Sequence, residues 1–498
     1  MKKVSILSLA FLVAVIVTGC GDDPTSSESE DVSSKKQFVY NAMNYWYYWQ
    51  GDVPALADNR FSNNQKLSSF LQGFSDAEQL FNALQYSEDE FSFFIDDYEE
   101  FADQQDGINA ALGVNYGFIG FQNSNDIVGY ARYIISGSPA DDAGLQRLDL
   151  FTKVDGTDLN TSNYRQLLSD NSAHTLTLAT IKETSQGVAF EDSTQKSIQS
   201  EKVIENPIYL STVIDTSNTK IGYMMYNAFQ DNSHHDLNSA FNDFNNQNID
   251  ELILDLRYNG GGTILTSQLL SSLISGLDNS SKFGEFSYNQ KRSDQNESVY
   301  FLDKVPLQNG EGDFERNDQG EFVNTEPMND LGLNKVYVLT SGGTASASEA
   351  LINSLNPFID VILIGTQTVG KDQGSLTLYD APEPYLNKDK ANPDHKKAIQ
   401  PIVLKIVNSA GDDYPDGFTP SASNNISELT VENIQKKPAI GSPDDPLLGR
   451  ALSLITGQSK FQQSSPSLSG SQMMKEQKDF SPQGMYLLPE QAQFLFGN

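Results

Sequence analysis

The sequence contains a single cysteine, Cys20, among 498 residues. No intramolecular disulfide can form, so a cystine-stapled scaffold is excluded. Histidine is nearly as scarce. His174, His234, His235 and His395 lie in polar or acidic surroundings and form no HExxH-like spacing, so no metal site is expected and no cofactor is called for. Basic residues are outnumbered two to one, 33 Lys and Arg against 66 Asp and Glu, which leaves a net charge of −33. A surface of that sign repels phosphate, which argues against nucleic acid and against docking on anionic lipid. Beyond residue 20 no apolar run approaches the ~20 residues that cross a bilayer. What remains is an ordinary globular composition, 38% apolar with 36 glycines and no visible repeat, long enough for two to four domains.

The first twenty residues differ from the rest. Lys2 and Lys3 precede an apolar stretch, Val4 to Val17, which ends in Val17-Thr18-Gly19-Cys20. This resembles a bacterial lipoprotein signal. The resemblance implies removal of residues 1–19, lipidation of Cys20 and a lipid-anchored location in the cell envelope. Gly21, in place of Asp, implies the outer membrane, at its periplasmic face or the cell surface. Residues 20–34 then read as a flexible acidic tether.

Residues 35–105 form a helical, aromatic-rich region in which Phe38, Met43, Trp46 and Tyr47 read as packing residues. Ser75-Asp76-Ala77-Glu78 reads as a capping box. Residues 106–184 are β-rich, with strands expected over Val114–Phe121, Ile127–Ile135 and Thr175–Ile181. Their phrase Ser138-Pro139-Ala140, Ala143-Gly144-Leu145, then Lys153-Val154-Asp155-Gly156 resembles a bacterial PDZ domain, departing from it at Leu148, where the family has Gly. The resemblance implies capture of a chain terminus by β-augmentation at Phe118, Ile119, Gly120 and Phe121. Residues 202–457 alternate strands and helices, the mark of an α/β core with a largely parallel or mixed sheet. Within them, residues 279–334 read as irregular with some hairpin. Residues 458–498 form a Ser/Gln-rich tail ending in an apolar stretch, Met485–Phe496.

Three segments of the core carry chemistry. Ser346 follows a strand and a Gly-containing turn and opens a helix, which exposes a hydroxyl beside backbone N–H groups able to meet an oxyanion. Ser346-x-x-Glu349 is equally a capping-box pattern. Lys371 follows the Val361–Gly365 strand, where burial would lower its pKa and make it a base. Gly260-Gly261-Gly262 allows close backbone approach to a substrate but lacks phosphate-loop spacing. Each segment alone is ambiguous.

In order, the phrases Leu254-Asp255-Leu256-Arg257-x-Asn259-Gly260-Gly261-Gly262, Thr344-Ala345-Ser346-Ala347-Ser348-Glu349 and Gly370-Lys371 resemble the carboxy-terminal processing (tail-specific) serine peptidases. The resemblance implies a mixed α/β fold: a helical N-terminal region, a PDZ-like β module and a core of the ClpP/crotonase type. It implies Ser346 as nucleophile and Lys371 as general base, with the N–H groups of Ala347 and of Gly261 or Gly262 as the oxyanion hole. Glu349 and Thr368 would support the site, Glu349 by ordering the helix start and Thr368 by bonding near the lysine amine. Ser375 stands where many members carry a Gln that orients the lysine, with Gln373 nearby. The implied partners are proteins or peptides with accessible C-termini, with the membrane reached through the lipid alone. An adaptor or a homo-oligomer is compatible with the sequence. The rival reading on the same fold is a catalytically silent peptide-binding lipoprotein.

Overall fold

The structure is a computed structural model. It describes residues 24–121, 124–168, 172–184, 187–216, 218–457 and 485–488. Cys20, the leader and most of the tail lie outside the described residues.

Helix α1 (Pro24–Trp46) begins earlier than the sequence suggests, so residues 24–34, expected as a flexible tether, are helical. Pro24 occupies the first helical position, where its fixed φ suits the helix and its missing N–H costs no bond. The helix Ala77–Leu84 buries Leu80, Phe81 and Leu84. Its cap is Asp76 rather than Ser75, with the Gln79 N–H donating to Asp76 Oδ1 at 2.7 Å. Strand β1 (Phe93–Ile95) then pairs antiparallel with Ala398–Gln400, which ties the N-terminal region to the far end of the chain.

The β-rich module is a sheet ordered β2 (Val114–Gly120), β3 (Ile127–Ile134), β4 (Leu150–Val154), β5 (His174–Thr184) and β6 (Gly187–Ile198), with Thr157–Asp158 paired onto β4. β6 pairs with β5 along its length, so the module continues past the boundary expected at residue 184. The exposed, polar character of β6 removes the apolar alternation that would have announced it. Leu148 has φ 62°, in the left-handed region that favours glycine. Its side chain is fully buried among Ile119, Tyr130 and Leu150.

The core is a second sheet, ordered β7 (Ile208–Asp215), β8 (Lys220–Tyr226), β9 (Glu251–Asp255), β10 (Lys335–Thr340) and β11 (Asp360–Gly365). β7 runs antiparallel to β8, and the other pairs are parallel. Alternation along β8 sorts its side chains between two layers. Met224 and Tyr226 join the layer of α2 (Ile264–Ser275) and α3 (Ala347–Leu355), whereas Tyr223 and Met225 face α4 (Pro446–Thr456). A third sheet brings Lys282–Tyr288, Glu297–Tyr300, β12 (Gln373–Ser375) and β13 (Ile402–Asn408) together antiparallel, and the segment expected to be irregular with some hairpin contributes two of its strands, paired with each other.

A fully buried ionic knot fastens these parts. Arg257, just past β9, meets Asp255 at 2.7 Å and Asp445 at 2.8 Å, and Glu428 lies 3.2 Å away. Asp445 also caps α4 by accepting from the N–H groups of Leu447 and Leu448. Arg147 of the β module pairs with the same Glu428 and donates to the Pro438 carbonyl at 2.7 Å.

Candidate active site

The end of β10 delivers Ser346 into the core through the turn 341–345. Its backbone has φ 65° and ψ −113°, a conformation that few non-glycine residues adopt. An ordinary N-cap serine is extended. A serine held in such a conformation at a strand-to-helix turn has the backbone geometry of a nucleophile elbow, here buried, and strain of this kind concentrates at functional sites.

Glu349, one turn into α3, organises the surroundings. One carboxylate oxygen accepts from the Ser346 N–H at 2.8 Å and from the Lys371 N–H at 2.9 Å. The two backbone nitrogens are therefore no further apart than those lengths combined. The other oxygen accepts from the Gly370 N–H at 2.7 Å and from the Thr368 hydroxyl. Glu349 thus holds the helix start, as its capping role implies, and also the loop that carries the lysine. Thr368 bonds Glu349, not the lysine amine, and accepts from the Phe418 N–H at 2.8 Å. Burial raises the Glu349 pKa, and these four donors oppose the rise by favouring the carboxylate.

Lys371 is buried, with its Nζ 4.9 Å from the centroid of the Phe91 ring. Burial pulls its pKa down to about 8, while the charges of Asp89 and Glu349 pull the other way. Near neutral pH a useful fraction of the lysine is therefore free amine. Asp89 is fixed by the Tyr47 hydroxyl at 2.6 Å and by the N–H groups of Phe91 and Ser92. Neither Asp89 nor Phe91 stands out in the sequence, because their loop is drawn to the site by partners distant in the chain, through β1 and the bond from the Ile402 N–H to the Ser92 hydroxyl.

The glycine loop after β9 is joined to the serine turn by Asn259. Its carbonyl accepts from the Ala345 N–H at 3.1 Å and the Ser348 hydroxyl at 3.0 Å. Its side chain accepts from the Gly261 N–H at 2.9 Å, which removes Gly261 from the two expected oxyanion donors. Among the described residues no acceptor meets the N–H of Gly262 or Ala347, and these are the two donors left for an oxyanion. Gly262 has φ 139°, and a Cβ there would lie 2.3 Å from the Phe229 carbonyl oxygen. Asn259 belongs to the glycine phrase itself, so its role was within reach of sequence reasoning.

The remaining expected residues stand apart. Phe118, Ile119, Gly120 and Phe121 lie on or just after β2, an edge strand of the β module. Ile119 is buried against the other face of that module, with Leu429, Val431 and Ile434, so its side chain cannot meet a peptide there. Phe118 packs on Tyr164 with ring centroids 4.9 Å apart. Ser375 is buried and accepts from the Gln400 side chain at 3.0 Å, while Gln373 pairs along β13. Among the described residues no cluster of His, Cys, Asp and Glu could hold a metal ion. His234 is buried between the Pro306 carbonyl and the Thr266 hydroxyl, and burial lowers its pKa to about 4. No helix among the described residues is long and apolar enough to cross a membrane.

Comparison with known proteins gives this geometry its context. The model of peptidase family S41 matches residues 220–388, and that of the peptidase S41 N-terminal domain matches residues 34–93. Both matching models are of peptidase family S41, and the chain resembles that family in its N-terminal region and in its core. It is 28% identical over 277 residues to a probable CtpA-like serine protease of Staphylococcus haemolyticus, covering 53% of this chain and 47% of that protein. It is 26% identical over 284 residues to the chloroplastic carboxyl-terminal-processing peptidase 3 of Arabidopsis thaliana, covering 55% and 48%. The chain spans about half the length of the curated relatives it matches. The crystal structure of a putative S41 protease from Bacteroides fragilis shares the S41 fold, with TM-score 0.60 and 24% identity, covering 84% of this chain and 97% of that one.

Proposed function

We propose that this chain is a serine endopeptidase with a Ser346–Lys371 dyad. The free amine of Lys371 takes the Ser346 proton as Oγ attacks the scissile carbonyl. The resulting oxyanion is met by the N–H groups of Ala347 and Gly262. The lysine ammonium then protonates the leaving amine, and water, activated by the same amine, hydrolyses the acyl-enzyme. The observation that carries this reading is Glu349, whose one oxygen holds the backbones of a strained serine and of a buried lysine with a pKa of about 8. The β module, with its edge strand β2, is read as a PDZ-like domain that captures an accessible chain terminus by strand addition. Cys20 is read as the lipid anchor of an envelope enzyme.

The test is hydrolysis of a loosely folded protein with an apolar C-terminus, followed from pH 6 to 10. Wild-type turnover rises about tenfold per pH unit below about 8 and levels above it, as the fraction of free amine does. Lys371→Ala lowers turnover by about 10²–10⁴-fold, and Ser346→Ala abolishes it. Turnover that survives Ser346→Ala, or a flat pH profile, excludes the dyad.

A further inference from the structure

The cleft beside Ser346 holds a piece of this same chain. Met485–Leu488 lies there as a short extended strand, paired on both of its edges. On one side the Tyr486 N–H donates to the Gly262 carbonyl at 3.2 Å, and the Ile264 N–H donates to the Tyr486 carbonyl at 3.1 Å. On the other, the Ser375 N–H donates to the Met485 carbonyl at 3.0 Å, and the Leu487 N–H donates to the Ser375 carbonyl at 3.1 Å. The Met485 N–H donates to Ser346 Oγ itself. The side chains alternate as a strand requires. Met485 and Leu487 enter the main core, whereas Tyr486 and Leu488 pack on Leu265 and Phe314, and all four are buried. Leu487 also lines a cavity of about 530 Å³.

We propose that Met485–Leu488 is a non-covalent occupant of the substrate cleft, which competes with substrate until it is displaced. It also displays the substrate class the cleft takes beyond the scissile nitrogen: an extended, apolar segment bound as a strand between the glycine loop and β12. The placement of the Met485 nitrogen on Ser346 Oγ sets the register. A strand running onward from that nitrogen occupies the leaving-group side. Ser375 acquires a role that its replacement of a family Gln left open, since its backbone supplies one whole edge of the pairing and its hydroxyl donates to the Met485 carbonyl at 3.2 Å. The occupancy stands on these contacts, and only its effect on turnover rests on the peptidase reading.

The size of the effect follows from the tether. Membership of the same chain presents the strand to the cleft at an effective concentration of about a millimolar. For a separate peptide with a dissociation constant of about 10–100 μM, the closed state is then favoured about 10–100-fold. The experiment compares the full chain with its Tyr486→Asp/Leu487→Asp double variant. One readout is kcat/KM on a quenched fluorogenic peptide that carries an apolar residue on the leaving-group side. The other is anisotropy of a fluorescein-labelled, N-acetylated peptide of residues 484–490, with both proteins in a Ser346→Ala background. The double variant is expected to hydrolyse about 10–100-fold faster and to bind the labelled peptide, which the parent excludes. Hydrogen exchange on the unaltered chain provides a check free of any folding defect, with the Tyr486 and Leu487 amides protected. Equal peptide binding by both proteins, or unprotected amides at those two residues, overturns the proposal. Differential binding with no hydrolysis by any protein upholds the occupant and refutes the peptidase. Hydrolysis at equal rates with equal binding does the reverse.

Discussion

A lysine becomes a base in water near neutral pH only if something makes its ammonium costly. Here the cost is burial, and it is borne by the folded state. With the pKa moved from 10.5 to about 8, the protein forfeits up to about 3 kcal/mol at pH 7. The sign follows from proton binding. Between the two pKa values the unfolded chain holds a proton that the folded one has released, so stability rises with pH through that window. Lys371→Met keeps the volume and removes the ammonium. It is expected to raise stability by up to about 3 kcal/mol at pH 7 while abolishing turnover, and to lose that advantage above about pH 10.5. Urea titrations at pH 7 and 11 measure it, and an equal difference at both would refute burial as the cause. Glu349 carries the complementary burden. Burial raises its pKa, and its four donors oppose that rise by favouring the carboxylate that holds the serine and lysine backbones.

Among elements, the strand ends matter most. β9 and β10 finish side by side, and each ends in a loop that carries part of the site. Arg257 keeps the first of these loops in place through Asp255, Asp445 and Glu428. Arg257→Met leaves three carboxylates sharing a dry interior with Arg147 alone, and is expected to cost about 3–5 kcal/mol. A thermal midpoint unchanged from wild type would show the knot to be dispensable. The sequence exposes whatever is contiguous or periodic: the buried strands β8 to β11, helices α2 and α3, and the phrases carrying Ser346, Lys371 and the glycines. It hides what depends on distant partners. Asp89 and Phe91 meet the lysine through contacts between distant segments, among them the pairing of residue 95 with 398. Gly261 is lost as a donor to a side chain two residues earlier, and Met485 reaches Ser346 across 139 positions. β6 escaped notice because its surface is polar, and the early start of α1 because its sequence reads as a tether.

On the scale of the molecule, the N-terminal region is part of the active site. Tyr48 donates its N–H to the Ile402 carbonyl at 2.9 Å, the Trp46 indole donates to the Pro384 carbonyl at 2.8 Å, and Asn289 bonds the carbonyls of Tyr45 and Tyr47. These contacts place Phe91 over the lysine. Phe91→Ala admits water to the amine, and is expected to move the pH–rate midpoint from about 8 toward the 10.5 of a free lysine. A midpoint that stays put would assign the burial to other groups. The clasp between residues 93–95 and 398–400 also sets an order of events. Residues near 90 leave the ribosome some three hundred positions before their partners, so they wait unpaired while the serine, the glycine loop and the lysine are made. Until the two ends meet, the lysine sits in water and keeps its proton. The nascent chain therefore passes through synthesis without a working base, protected from itself by the sequence distance between the halves of its own site.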